Sequence, residues 1–369
     1  MRIRILYIIL GLVVISSCER NHSRYQLHEA PEFDESYHSV SLEKVNRNIE
    51  QNSDNPENYY RKAIILNELG RNENALINLR KAISLKADEP VYHYMAAREN
   101  LRIGDVDEAE SFASEAERLG EQSGGLFYLL SEVHRLKENY IKAADYINKA
   151  MKKEPENPAY LCSRGYILLS LEDTLAAEQD FLSSLNIKED PGTYSGLIDI
   201  YLNRNDLEKT AFYLEKQLVL RPDNLEANLQ MASLLKAMDY PDSAASLLGH
   251  LTKRFSEDYR PKVEIADYLM EKRQYDSALY YVDDVLASNA RNTYALLQKA
   301  RILNTARRYG ESVASYTTLL DVDSTNEIAS SELADLRRKI AYLQQLERRR
   351  RNTLPTLEKK DSDTDDKNN

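Results

Sequence analysis

The chain has no tryptophan, and its 369 residues include only 11 glycines, 10 prolines, two cysteines and six histidines. So little glycine and proline excludes collagen-like and low-complexity chains and points to long helices. Cys18 and Cys162 lie 144 positions apart, and the first closes an apolar run, so a disulfide framework is excluded. Basic charge is also in deficit. With 49 Lys and Arg against 60 Asp and Glu the net charge is −11, which gives no drive toward a phosphate backbone and argues against a nucleic-acid partner. What is present, 42% apolar and 30% charged residues, is the composition of a soluble chain that folds, neither wholly disordered nor polytopic.

Arg2 and Arg4 precede an apolar run from Ile5 to Ile15. A helix of that length rises about 16 Å, roughly half a hydrocarbon core, so it does not span a bilayer and reads as a secretory signal over residues 1–17. Ile15, Ser16, Ser17 and Cys18 resemble the lipobox of bacterial lipoproteins. That resemblance implies cleavage before Cys18, acylation of its thiol and amine, and attachment to a membrane of the cell envelope, since two or more acyl chains anchor stably. The alternative is an ordinary cleaved signal that happens to end at a cysteine. Loss of Arg2 and Arg4 takes the net charge from −11 to −13. Glu19 is not the aspartate that marks inner-membrane retention in some envelopes, so the expected address is the periplasmic face of the outer membrane.

From Pro56 one pattern recurs. Ala75, Ala109, Ala143, Ala177, Thr210, Ala244, Ala278 and Ser312 are each 34 residues apart, except for one step of 33. Within the first copy, Tyr59, Ala63, Leu66, Gly70, Ala75, Leu79 and Ala82 alternate large and small residues around a turn glycine. Such a unit is two amphipathic helices, A and B, neither of which buries its apolar stripe alone. Small residues at the eighth and twentieth places let the two approach closely. Pro90, Pro158 and Pro191 open later units at a first turn, where a missing N–H is harmless. Spacing and pattern resemble the tetratricopeptide (TPR) repeat. The resemblance implies an all-α, right-handed solenoid of about eight helix-turn-helix repeats over residues 56–326. The twenty-seventh place drifts from Ala82, Ala116, Ala150 and Ser184 to Gln217, Leu251, Val285 and Leu319, so packing is expected to change in the second half.

Both flanks read as ends. Residues 18–38 are polar and irregular, a flexible tether. A capping helix is expected within 39–55, with Leu42, Val45 and Ile49 on one stripe. A second is expected over 327–351, where Leu333, Leu336, Ile340 and Leu343 have heptad-like spacing. Docking on the last repeat and a dimer seam are both open for it, so the oligomeric state is undetermined. Residues 352–369 are polar and acidic, a disordered tail. The Arg348–Arg351 run either complements a helix C-terminus or contacts anionic headgroups.

No constellation for catalysis is present. The chain lacks a Gly-rich phosphate loop, a His-Glu-x-x-His motif and a nucleophile elbow, and its histidines, at 22, 28, 38, 93, 134 and 250, include no i, i+4 pair. Cys162 has no base partner in sequence and reads as a small buried hydrophobe. Neither enzyme, cofactor nor metal site is expected. What remains is recognition. In TPR arrays the A helices line a groove, and at its places stand Tyr60, Tyr94 and Tyr128, with Arg98, Arg102, Arg135 and Tyr166 beside them. Tyrosine and arginine bury large area while still hydrogen-bonding, which suits a groove for a segment of another envelope protein. Tyrosine is also abundant, 25 in all, so some fall here without that purpose. Tyr60 and Ile64 replace the Lys and Asn of the clamp that TPR co-chaperones use for acidic C-termini, so that activity is not implied. A regulator of a peptidoglycan enzyme and a glycan- or solute-binding lipoprotein are the alternative readings, the second weakened by the absence of tryptophan.

Overall fold

The computed structural model describes residues 35–362; the signal segment, Cys18, the tether before Glu35 and residues 363–369 lie outside it. Among the described residues there are eighteen helices and no strand. They fall into two compact units, divided after Arg221.

The first unit opens with α1 (Glu35–Gln51) and continues as five helix pairs: α2 (Pro56–Glu68) with α3 (Asn72–Leu85), α4 (Pro90–Arg102) with α5 (Val106–Arg118), α6 (Gly124–Leu136) with α7 (Tyr140–Lys153), α8 (Pro158–Ser170) with α9 (Thr174–Ile187), and α10 (Pro191–Asn203) with α11 (Leu207–Leu220). The second has three pairs and a long closing helix: α12 (Leu225–Ala237) with α13 (Pro241–Arg254), α14 (Arg260–Glu271) with α15 (Tyr275–Ser288), α16 (Thr293–Thr305) with α17 (Tyr309–Val322), then α18 (Glu327–Ser362).

One turn joins every A helix to its B helix. The residue two places after each A helix has positive φ: Gly70 and Gly104, then Glu138, Glu172, Asn205, Asp239, Arg273 and Arg307 at 54° to 67°. The next residue donates its N–H to the carbonyl five positions back, as in Arg71 to Leu66 and Asn139 to His134, both 2.8 Å. This is a Schellman closure, which satisfies carbonyls that the helix end leaves open. The following B helix is then capped by a side chain where the sequence supplies one: Asp105, Asn139, Asp173 and Asp206 each accept an N–H from its first turn.

The pairs are held by the close approach that the small residues permit. Ala63, Ala75, Ala97, Ala109, Ala143, Ala177, Ala266, Ala278 and Ala300 are at most 1% exposed. Where serine replaces alanine, its hydroxyl bonds the carbonyl of the small residue opposite, Ser131 to Ala143 at 2.8 Å and Ser312 to Ala300 at 2.7 Å. Phe181 on α9 is fully buried against two glycines: a Cβ on Gly165 or Gly196 would stand 2.6 or 2.4 Å from its ring. At the twenty-seventh place the change of residue alters the contact. Ser184 donates to the Pro158 carbonyl, and the Gln217 amide reaches both the Pro191 carbonyl and the Ser195 hydroxyl.

The flanking helices differ in extent from the sequence expectation. The first begins at Glu35, so residues 35–38 are helix and not tether; Leu42 packs on the first repeat and Val45 is buried. The last runs to Ser362, so 352–362 are helical where a disordered tail was expected. Leu354, Leu357, Glu358, Lys359 and Lys360 in that segment are strong helix formers, and they carry the helix past Pro355. Ala329, Leu333 and Leu336 bury against Leu296, Ala300, Tyr316 and Leu319, with Ile340 beside them, while residues 341–350 are exposed.

Candidate functional site

Asn55, Ser123, Asn157 and Asp190 cap the A helices α2, α6, α8 and α10 and fix their starting registers. With registers set, the residues that the repeat frame places on the groove project from known turns. Tyr128, Arg135 and Tyr166 line one cleft of about 520 Å3 between α6, α8 and the loop entering α10. Glu132, Cys162, Ser163, Lys188, Asp190 and Thr193 complete its walls.

The cleft is internally braced. Glu132 accepts a fork from Arg135, 3.2 Å from Nε and 2.7 Å from Nη2, and the Ser163 hydroxyl at 2.5 Å. The hydrogen bond from Arg135 to Glu132 holds that guanidinium charged even more firmly than usual. The Tyr128 ring stacks on Tyr160 with centroids 5.1 Å apart. Burial, and after it the Glu132 charge, pushes the Tyr128 hydroxyl up to about 12, so it stays a proton donor. Tyr166 rises further, chiefly by burial, while its hydroxyl donates to the Gly192 carbonyl at 2.6 Å. Burial likewise pushes the Cys162 thiol up, the opposite of what a nucleophile needs.

The other four residues picked from the sequence do not line this cleft. Tyr60 packs on Tyr92 with centroids 5.0 Å apart. The Tyr94 hydroxyl sits against Gly125, where a Cβ would come within 2.6 Å of it. Arg98 and Arg102 both face Glu99, at 3.5 and 3.7 Å, and the Asn67 amide bonds the same carboxylate. Glu99 is fully buried, which makes it the internal counter-charge of both arginines.

Glu99, Glu132 and Lys188 were missed by the sequence reading. The first left a trace: its repeat place holds Ile65, Val133, Ile167, Ile200, Leu234 and Ile302 in other units, so a charge there is an anomaly. Glu132 shares the groove place of Arg98 and Tyr166 and was legible in the same frame. Lys188 lies in the loop after a B helix, where the groove frame gives no signal.

Histidine chemistry is absorbed locally. His93 Nε2 lies 2.8 Å from the Ala87 carbonyl, and His134 stacks on Tyr146 with its pKa lowered by burial. Among the described residues no group of three His, Cys, Asp or Glu side chains could hold a metal ion.

The tetratricopeptide repeat family model matches residues 56–89 and 263–327, one window in each compact unit. Those two windows therefore carry tetratricopeptide repeats, and both units hold further helix pairs beyond them. A TPR repeat-containing protein of Methanocaldococcus jannaschii is 23% identical over 223 residues, which is 56% of this chain and 38% of that one. The chain thus spans well under half of that relative. Among solved structures, YrrB, described as a TPR protein with an unusual peptide-binding site, is similar at 22% identity and a TM-score of 0.42, covering 50% of this chain and 96% of YrrB. A thermophilic TPR protein of Thermus thermophilus is similar at 24% identity and a TM-score of 0.42, covering 49% of this chain and 98% of that one.

Proposed function

We propose that this chain is a non-catalytic interaction scaffold, anchored through acylated Cys18 to a bacterial envelope membrane, whose first unit holds a segment of another envelope protein along its A helices. TPR proteins generally mediate protein–protein interaction, and one observation supports placing the contact here. Tyr128, Arg135 and Tyr166, drawn from two successive repeats, share a braced cleft whose aromatic walls suit an inserted side chain. The chemistry of the cleft does not favour turnover, because its thiol is held protonated and Glu132 is tied to Arg135 and Ser163.

Crosslinked affinity purification from whole cells tests the binding claim, comparing wild type with a Tyr128→Ala, Arg135→Gln double variant of confirmed helicity. The account expects a prominent partner to disappear in the variant; unchanged partners would place recognition elsewhere. The anchor rests on the residues before Cys18 and is tested separately. Cys18→Ala should release the protein from the membrane fraction and abolish acyl-chain labelling, and continued labelling would remove the anchor. Separating inner from outer membranes then decides the expected outer-membrane address.

A further inference from the structure

The groups that line the cleft are unevenly spent. Its carboxylates are largely committed: Glu132 takes Arg135 and Ser163, and Asp190 Oδ2 takes the backbone N–H and the hydroxyl of Thr193. The Tyr166 and Ser184 hydroxyls donate to the carbonyls of Gly192 and Pro158. Three donors are not spent. Lys188 lines the cleft with no ion pair or side-chain hydrogen bond among the described residues. The Tyr128 hydroxyl is not completely buried and bonds to nothing, and Arg135 keeps Nη1 free because its fork uses Nε and Nη2.

An ammonium and a guanidinium edge, which only donate and are charged, with a phenol that can also donate, complement a group that only accepts and carries negative charge. We infer that the cleft takes an acidic side chain, Asp or Glu, of the partner segment. This rests on the groove reading above and narrows it to one anchoring contact. The volume, about 520 Å3, accommodates such a side chain with neighbouring backbone. A basic side chain entering the same space would meet Lys188 and Arg135, and of the two carboxylates there Glu132 is already held by Arg135 and Ser163 while Asp190 keeps one oxygen open. Because Glu132 already fixes the guanidinium, binding does not have to order it. Lys188 enters from the loop between α9 and α10, so this contact does not depend on the arginines that face Glu99.

The test is selection from a displayed library of random twelve-residue peptides against the immobilised full chain, in parallel with Lys188→Gln. The inference expects enriched peptides to share an Asp or Glu at one position. Changing that residue to its amide, or Lys188 to Gln, should weaken binding about tenfold, and Lys188→Arg should restore most of it. Peptides that need Tyr128 but share no acid, or that bind the Lys188→Gln protein equally well, would overturn the inference and leave the groove reading in place. Selection of no peptide at all would count against both.

Discussion

Single residues show where repeat sequences tolerate strain. Every A-to-B turn needs a left-handed residue, and only the first two repeats spend a glycine on it. The left-handed conformation costs a residue with a Cβ about 1 kcal/mol or more, so Glu138→Gly should stabilise the first unit by about 1 kcal/mol. Urea unfolding followed by circular dichroism measures it, and a loss of stability would contradict the turn geometry. The reverse holds where glycine makes room. Gly196→Ala pushes a methyl into the Phe181 ring and should cost about 1 to 3 kcal/mol, with partial recovery on adding Phe181→Leu. In the second unit, burial raises Asp267 on α14 from the usual 3.8 to about 6. A raised carboxyl holds its proton more tightly when folded, so stability falls as pH climbs from about 4 through about 6. Asp267→Asn, which can still accept from the Gln298 amide at 3.0 Å, should therefore stabilise the unit at about pH 7.5 and change little at about pH 4. Equal effects at both would mean that the carboxyl titrates normally.

At the scale of elements, α18 divides its length between two conditions. Leu336 is buried under the last repeat, so Leu336→Ala should cost the second unit about 2 to 5 kcal/mol. Deleting residues after Ile340 removes only exposed helix up to Arg350 and should leave the urea midpoint nearly unchanged. A large loss on deletion would mean that the distal helix is covered in solution. Its extent was not legible because charged residues of high helix propensity look alike in a tail and in a solvated helix. The helix pairs were legible, since the spacing of Ala75, Ala109 and Ala143 marks a contact that admits nothing larger. The turns were legible only where Gly70 and Gly104 announce them. From Glu138 onward the Schellman bonds impose the same conformation on residues that do not advertise it.

Across the whole chain, the candidate site is legible where the repeat frame reaches. Tyr128, Arg135 and Tyr166 came from that frame and share a cleft. Arg98 and Arg102 came from it too, but both pair with the buried Glu99, a pairing that depends on burial and not on spacing. Lys188 was out of reach because loops do not keep the frame. The central claim is that a partner segment lies in the cleft of the first unit, and site-specific photocrosslinking in living cells tests it most directly. The reactive residue replaces Ala159, which is exposed and lines the cleft, or, as a control, Ile141, which is 72% exposed on the B helix α7. A discrete partner captured from position 159, absent from position 141 and lost on adding Arg135→Gln, is the predicted result. Capture of the partner from 141 with none from 159 would contradict it.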